Sequence, residues 1–325
     1  MDGLRLIARR LMHMLVTLFL VLTMMWALFR LVPGDPLVVF LGQGQLGPEQ
    51  LEQLRRAWGL DRPLWQQYLS YVGNFLTGDL GLSFAFRRPV LEVLAEPLFN
   101  TVILMAPAMA LSISLAVKGG SWLGWRRGTR AESWISLALL VPRTLPVFWL
   151  AIIVVVIFSY QLEWFPMGGM RTMAFIPETW WEELPGFDLA QHLALPLMVA
   201  VLNSVSDPLL VMRTSMIEVA NEDYLTYARA KGLTERQVQA VAQRNALMPI
   251  ITYSAIMIGF AFGGQVLLEY VFSWPGMGQL MVNAVNNRDY PVAQAAFFLM
   301  AFVVIFMNFL TDLIYIVVDP RVRYE

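Results

Sequence analysis

The stretch LFNTVILMAPAMALSISLAV, Leu98 to Val117, decides the fold. It contains no charged side chain, and about 20 apolar residues are what an α-helix needs to cross the hydrocarbon core of a bilayer. Within lipid each backbone N–H and C=O must find its partner inside the protein, so such a run is read as a spanning helix. The same test picks out Met12 to Leu31, Trp134 to Tyr160, Leu189 to Val211, Leu247 to Leu268 and Val292 to Val318. The expectation is an all-α integral membrane protein of about six transmembrane helices.

Composition agrees. Of 325 residues 58% are hydrophobic and 14% charged, against about 25% charged in an ordinary soluble domain, and a soluble fold of this size could not hide so much apolar surface. The absence of cysteine removes disulfides, thiol nucleophiles and thiolate metal sites. The two histidines, His13 and His192, lie far apart, so no metal site is expected in this chain.

The net charge of -1 decides little, but the placement of charge decides orientation. With the N-terminus in the cytoplasm, Arg5, Arg9, Arg10, Lys118, Arg126, Arg127, Arg130, Arg213, Arg229, Lys231, Arg236, Arg244, Arg321 and Arg323 all fall inside. The two short external loops then hold only Arg171 and Arg288. This positive-inside bias predicts that both termini are cytoplasmic. The first apolar run is too long for the core of a secretory signal, and Leu31-Val32-Pro33-Gly34-Asp35 offers no small-residue cleavage site. It is expected to remain as the first span.

The whole chain, 1–325, reads as a single membrane domain with two embellishments. The first is an external insertion over 33–97 that carries helix punctuation. Pro48 suits a first helical turn, Glu49 and Glu52 favour the positive end of a helix dipole, Leu51, Leu54 and Trp58 share a face, and Gly59 can end the helix. A second short helix is expected from Pro63 to about Leu76, stopped by Gly78. Such an insertion can be a lid packed on helix ends or a docking surface. A second external loop, about Leu162 to Asp188, holds Trp164, Trp180, Trp181, Glu178, Glu182 and Glu183, and reads as an interfacial elbow.

The other embellishment is a cytoplasmic segment over 213–246. Asn221 can cap a helix with Glu222 and Asp223 in its first turn and Arg229 and Lys231 in its last, about ten residues ended by Gly232. A second helix restarts at once, since Thr234 and Gln237 have capping-box spacing and Leu233 and Val238 can form a hydrophobic staple. On the short helix Tyr224 and Tyr227 supply large anchors, while Ala228 and Ala230 permit close backbone approach. An isolated helix this short is marginal in water. It is expected to dock on another protein or to lie on the lipid surface.

The run Asp223-Tyr224-Leu225-Thr226-Tyr227-Ala228-Arg229-Ala230-Lys231-Gly232-Leu233, followed by Arg244-Asn245-Ala246-Leu247-Met248-Pro249, resembles the coupling-loop motif of permease subunits in ATP-binding-cassette importers of the dipeptide, oligopeptide and nickel type. Similar matches occur at Pro33-Gly34-Asp35-Pro36, Gly59-Leu60-Asp61-Arg62-Pro63-Leu64 with Gln67-Tyr68, and Gly78-Asp79-Leu80-Gly81 with Ser83. They continue at Glu269 with Phe272, Trp274-Pro275-Gly276-Met277-Gly278, Arg288-Asp289-Tyr290-Pro291, and Asp312 with Asp319-Pro320-Arg321. Gln243 stands where the family often shows a histidine, the cytoplasmic loop expected over Lys118 to Arg130 is atypical with Trp122 and Trp125, and Asp207-Pro208 is unusual.

The resemblance implies a type I importer permease fold in the bacterial inner membrane. It implies a second homologous permease, two cytoplasmic ATPase subunits that bind the ATP and magnesium, and a periplasmic or extracellular substrate-binding protein. It implies that Tyr224, Tyr227, Ala228, Ala230, Lys231 and Gly232 couple to the ATPase. It also implies that Glu269, Trp274, Pro275 and Gly276 belong to an external gate where the binding protein docks.

Enzymatic chemistry is not legible. The only lysines, Lys118 and Lys231, follow Val117 and Ala230, so no glycine-lysine phosphate loop exists. No Gly-x-Ser-x-Gly elbow or His-Glu-x-x-His pair occurs. The chain is therefore expected to be neither an enzyme nor a nucleic-acid binder, with no catalytic residues and no cofactor of its own. A self-contained carrier driven by an ion gradient is the rival from another class, and a scaffold the third.

Charges inside spans are functional candidates because they are costly there. Arg143 and Asp207 are such residues in the third and fourth runs. Either they face a water-filled path, paired with one another, or they brace helices. Pro142 and Pro146 bracket Arg143 and predict a bend.

Overall fold

The computed structural model describes residues 2–31, 49, 52, 56, 61–172 and 186–318. The motif at Pro33 to Pro36, Leu51, Leu54, Trp58 and Gly59 of the expected insertion helix, the Trp180 and Trp181 cluster, and Asp319-Pro320-Arg321 lie outside the described residues.

The described residues are helical, with one isolated antiparallel bridge, Leu82 to Pro89. In chain order the helices are α1 (Asp2–Leu31), α2 (Leu64–Leu76), α3 (Val90–Trp125), α4 (Arg130–Thr144), α5 (Val147–Val154), a π-helical segment (Val155–Gln161), α6 (Phe187–Ser204) and α7 (Ser206–Val219). They continue with α8 (Asp223–Ala230), α9 (Glu235–Ala246), α10 (Met248–Gly264), α11 (Val266–Val271), α12 (Met277–Asn286) and α13 (Tyr290–Val318). By length and composition α1, α3 and α13 can each cross a membrane uninterrupted, and two bent pairs, α4 with α5 and α6 with α7, raise the number to five. The apolar 17-residue α10 is shorter.

Helix α3 is 36 residues long, or about 54 Å at 1.5 Å per residue. That exceeds the bilayer core and carries the helix through Lys118 to Trp125. The loop expected over Lys118 to Arg130 is thus mostly helix, with a short turn after it that uses Gly128 at φ +82°. The reason is packing against α7. A Cβ on Gly120 would stand 2.6 Å from both the Leu209 carbonyl oxygen and the Met212 Cβ, and one on Gly124 would stand 2.5 Å from the Met216 Cβ. The glycines let the two backbones approach closely, which ties the extension down as helix.

The run Trp134 to Tyr160 is not a single straight span. Between α4 and α5 the axis turns by 101°. Leu145 is extended (ψ 135°) and Pro146 caps α5, as the steric clash of a proline ring with the preceding residue requires. The bend expected from the prolines is therefore a corner. Between α6 and α7 the axis bends by 42° at Val205.

Helices α1 and α13 run antiparallel. Arg10 Nη1 lies 3.0 Å from Asp312 Oδ2 at one end, and Phe29 packs against Tyr290 and Phe297 at the other. The start of α1 and the end of α13 are therefore on the same side of the molecule. Opposite them, the segment after α2 is fastened to α13 by Asp289, whose carboxylate accepts from Ser83 Oγ (2.5 Å), Phe84 N (3.1 Å) and Ala85 N (3.0 Å). The expected helix from Pro63 to about Leu76 is present as α2, and Gly78 follows it at φ +81°.

Replacing Gly120 with leucine forces a side chain into the α3–α7 contact and is expected to destabilise the fold by about 1–3 kcal/mol. A Cβ on Gly73 meets nothing within 4 Å, so Gly73→Ala serves as the control. Thermal unfolding in detergent should show a clearly lower midpoint for Gly120→Leu and little change for Gly73→Ala.

Candidate functional site

The segment over 213–246 folds, after the end of α7, as the helix, sharp turn, helix that its end signals specify. Helix α8 is eight residues long, shorter than the expected ten, because Asn221 does not cap it. The Asn221 amide instead donates to Ile217 O at 2.9 Å, closing the end of α7, and Glu222 occupies the cap position. The C-terminus follows the expectation. Gly232 adopts φ +84°, its N–H donates to Arg229 O (2.9 Å), and Leu233 N–H reaches Ala228 O (3.3 Å), the two bonds of a Schellman ending. Thr234 and Gln237 then form the capping box that starts α9.

One residue anchors α8 to its own chain. Leu225 is 0% exposed within a cluster of Met212, Met216, Val238, Ala242, Ala246 and Ile250, which joins α7, α9 and α10. Ala228 is partly buried and packs on that cluster too. The outer face carries Tyr224 (37% exposed), Tyr227 (70% exposed), Ala230, Lys231 and Gly232. Burial, with the Glu222 charge second, pushes the Tyr224 phenol above its ordinary pKa, and a side-chain hydrogen bond with Asn245 of α9 pulls the other way. Arg229 fastens the far end. Its Nε meets Glu235 Oε1 at 2.9 Å, and its guanidinium lies 5.9 Å from the centroid of Trp125 at the tip of α3. The sequence offered no local signal for that brace, since its three members come from three helices.

Two polar ties connect α4 to α7. Glu132, at 5% exposure, accepts from Arg213 Nε (2.6 Å) and Nη2 (2.5 Å). The buried Ser206 hydroxyl donates to Leu139 O at 2.7 Å. Arg143 and Asp207 lie next to this seam and form an ion pair, Nε to Oδ1 2.9 Å.

At the other end of the molecule, Glu269 on α11 is 1% exposed and Trp274 is 0% exposed. The Glu269 carboxylate accepts from Gly278 N (2.7 Å) and Gln279 N (3.3 Å), the free amides in the first turn of α12, and from Thr101 Oγ1 of α3 (2.7 Å). A carboxylate at a helix N-terminus satisfies donors and complements the dipole. Asn100 adds a reciprocal pair: its carbonyl accepts from Trp274 Nε1 (2.9 Å) and its amide donates to Pro275 O (3.0 Å). The Glu269 and Trp274 side chains therefore point into the protein. They shape the Trp274-Pro275-Gly276 turn from beneath. Asn100 and Thr101 were invisible to sequence reasoning as partners, because they lie more than 160 residues away inside a charge-free apolar run.

Among the described residues no group of histidine, cysteine or acidic side chains is arranged to hold a metal.

Comparison with known proteins gives a consistent result. Residues 116–324 match the model of the binding-protein-dependent transport system inner membrane component family. Residues 3–105 match that of the N-terminal region of binding-protein-dependent transport system membrane components. The chain is 35% identical to the di/tripeptide transport system permease protein DppB of Pseudomonas aeruginosa, covering 98% of each chain. It is 33% identical to the dipeptide transport system permease protein DppB of Escherichia coli K12, covering 99% of each. It is 32% identical to the oligopeptide transport system permease protein AppB of Bacillus subtilis, covering 98% of this chain and 99% of that one.

A Cβ on Gly276 would meet the Glu269 carboxyl carbon at 2.4 Å. Gly276→Ala should therefore push the carboxylate off the start of α12 and leave buried donors unpaired, at a cost of about 1–3 kcal/mol. Faster hydrogen exchange across 277–286, with exchange in α8 unchanged, is the expected readout.

Proposed function

This chain belongs to the family of binding-protein-dependent transport system inner membrane components, and from that premise we propose that it is the transmembrane permease subunit of an ATP-binding-cassette importer for peptides or related small solutes. It is a multi-pass inner membrane protein. In this reading it forms the translocation path with a second, homologous permease. Two cytoplasmic ATPase subunits bind ATP and magnesium, and an external binding protein delivers the solute. The positive-inside distribution of arginine supports placing both termini in the cytoplasm.

The observation that carries the proposal is α8. A helix of eight residues cannot hold itself together in water. This one is pinned from inside by Leu225 and closed by Gly232, and it turns two tyrosines and a lysine outward. Its Arg229 brace reaches α3, and its buried face shares a cluster with α7, α9 and α10. A push on its outer face is therefore delivered to α3, α7, α9 and α10 at once. The chain has no phosphate loop, so the motor that pushes is a separate polypeptide.

A photo-reactive amino acid at Tyr227 tests this. In cells the cross-link should capture a protein with a nucleotide-binding P-loop. Gly232→Val, which forces a β-branched residue into the left-handed region at a cost of about 1–2 kcal/mol, should lower ATP-dependent uptake by about tenfold while membrane insertion persists. Uptake by this chain alone, abolished by an ionophore and indifferent to ATP, would show instead an ion-driven carrier.

A further inference from the structure

Helices α3 and α4 are joined by one tight turn, in which Thr129 N–H donates to Arg126 O (3.2 Å) and Gly128 adopts φ +82°. The turn gathers Arg126, Arg127 and Arg130, all exposed, and Lys118 is exposed two turns earlier on α3. Between Lys118 and Trp134 the only carboxylate is Glu132, which is buried and already holds Arg213. Among the described residues none of the four cations has an ion-pair partner. A concentration of one sign of charge attracts an anion from outside.

Each of the two helices spends one face on α7 and leaves the opposite face apolar and open. On α3, Gly120 and Gly124 meet α7. On the other side Leu111, Leu115, Lys118, Trp122 and Arg126 recur at three- and four-residue spacing. Leu111 and Leu115 are exposed, and Trp122 is partly buried. On α4, Glu132 binds Arg213 of α7 and Leu139 packs on a cluster that includes Leu209. Trp134, Leu137 and Val141 share the opposite face and are exposed, Trp134 at 70%. An apolar stripe that ends in tryptophan and then in lysine or arginine is the pattern of a helix passing from acyl chains into the headgroup layer. Both stripes end at the same basic turn.

One of the arginines is already oriented. The Arg126 guanidinium lies over the Trp122 ring, 4.6 Å from its centroid. A guanidinium stacked on an indole loses side-chain freedom in advance and keeps its N–H edge, which bonds a phosphate through two parallel donors. An acidic protein surface would satisfy the arginines and leave the apolar stripes bare. A phospholipid supplies a phosphate for the turn and acyl chains for the stripes, and the net positive charge favours one whose head group carries no compensating ammonium. We propose that Arg126, Arg127 and Arg130, with Trp122 as the platform for Arg126, form a site for the phosphate of an anionic phospholipid whose chains lie along the apolar faces of α3 and α4. The site depends on the chain's place in the membrane and not on its partnership with an ATPase.

Native mass spectrometry of the full-length protein, with every subunit that co-purifies, tests this. Two probes are compared, dioleoylphosphatidylglycerol and dioleoylphosphatidylcholine, which share chains and phosphate and differ in head-group charge. The native protein should bind the first about tenfold or more tightly. The triple variant Arg126→Gln, Arg127→Gln, Arg130→Gln should bind the two alike. Arg5→Gln, Arg9→Gln, Arg236→Gln, which removes three exposed arginines elsewhere, should keep the preference. Trp122→Leu should weaken binding of the anionic lipid by about threefold. No preference in the native protein, a preference that survives the triple variant, or an equal loss in the control would overturn the site. So would displacement of the bound lipid by an equal concentration of sn-glycerol 3-phosphate, which would show a phosphate site that does not use the chains. A second measurement identifies the occupant in living cells. A photo-reactive amino acid in place of Arg127 should gain the mass of a phospholipid on illumination, and an adduct with a polypeptide alone would overturn the proposal.

Discussion

The rest of the structure depends on the close approach of α3 and α7. Gly120 and Gly124 bring the backbone of α3 against Leu209, Met212 and Met216, and α7 in turn carries what matters on either side of it. Its lower half supplies Met212 and Met216 to the cluster that receives Leu225. Its upper half supplies Ser206 and Asp207 to the seam with α4. In a bilayer, association of helices gains little from hydrophobicity, since lipid tails are as apolar as leucine, and relies on close packing of small residues and on interhelical hydrogen bonds. Both devices are used on α7, glycines on one side and buried polar ties on the other.

Much of the fold was legible because membrane helices announce themselves by length and polarity alone. The charge-free run Leu98 to Val117 lies within α3, and the last apolar run lies within α13. The short helix α8 was legible for a different reason: its signals are local. Gly232 at φ +84° and the Thr234 to Gln237 box are decided within a few residues, and both stand where the sequence places them. Asn221 misled because the chain offers it two uses, and the end of α7 takes it.

What escaped the sequence is what depends on distant partners. The segment Lys118 to Trp125 looked like a loop because lysine, glycines and tryptophans follow one another there, and only the groove along α7 makes it helix. Likewise, the burial of Glu269 and Trp274 could not be read from their neighbours, since the groups that receive them, Asn100 and Thr101, belong to α3. The pairing of Arg143 with Asp207 was legible as two costly charges, but the 101° corner that sets the end of α4 against the start of α7 exceeds any bend that two prolines alone specify.

The buried carboxylate at Glu269 has a mechanical consequence. It reaches from one short helix to the first amides of the next, across the Trp274-Pro275-Gly276 turn. Twisting α12 away from α11 would strip a desolvated anion of its donors, so the two helices and the turn between them behave as a single stiff paddle. Any opening of that end of the molecule must swing the paddle as one body, and α3 feels the swing directly through Thr101 and Asn100. The long helix that reaches Trp125 at its opposite tip is thereby a lever with a load on each end.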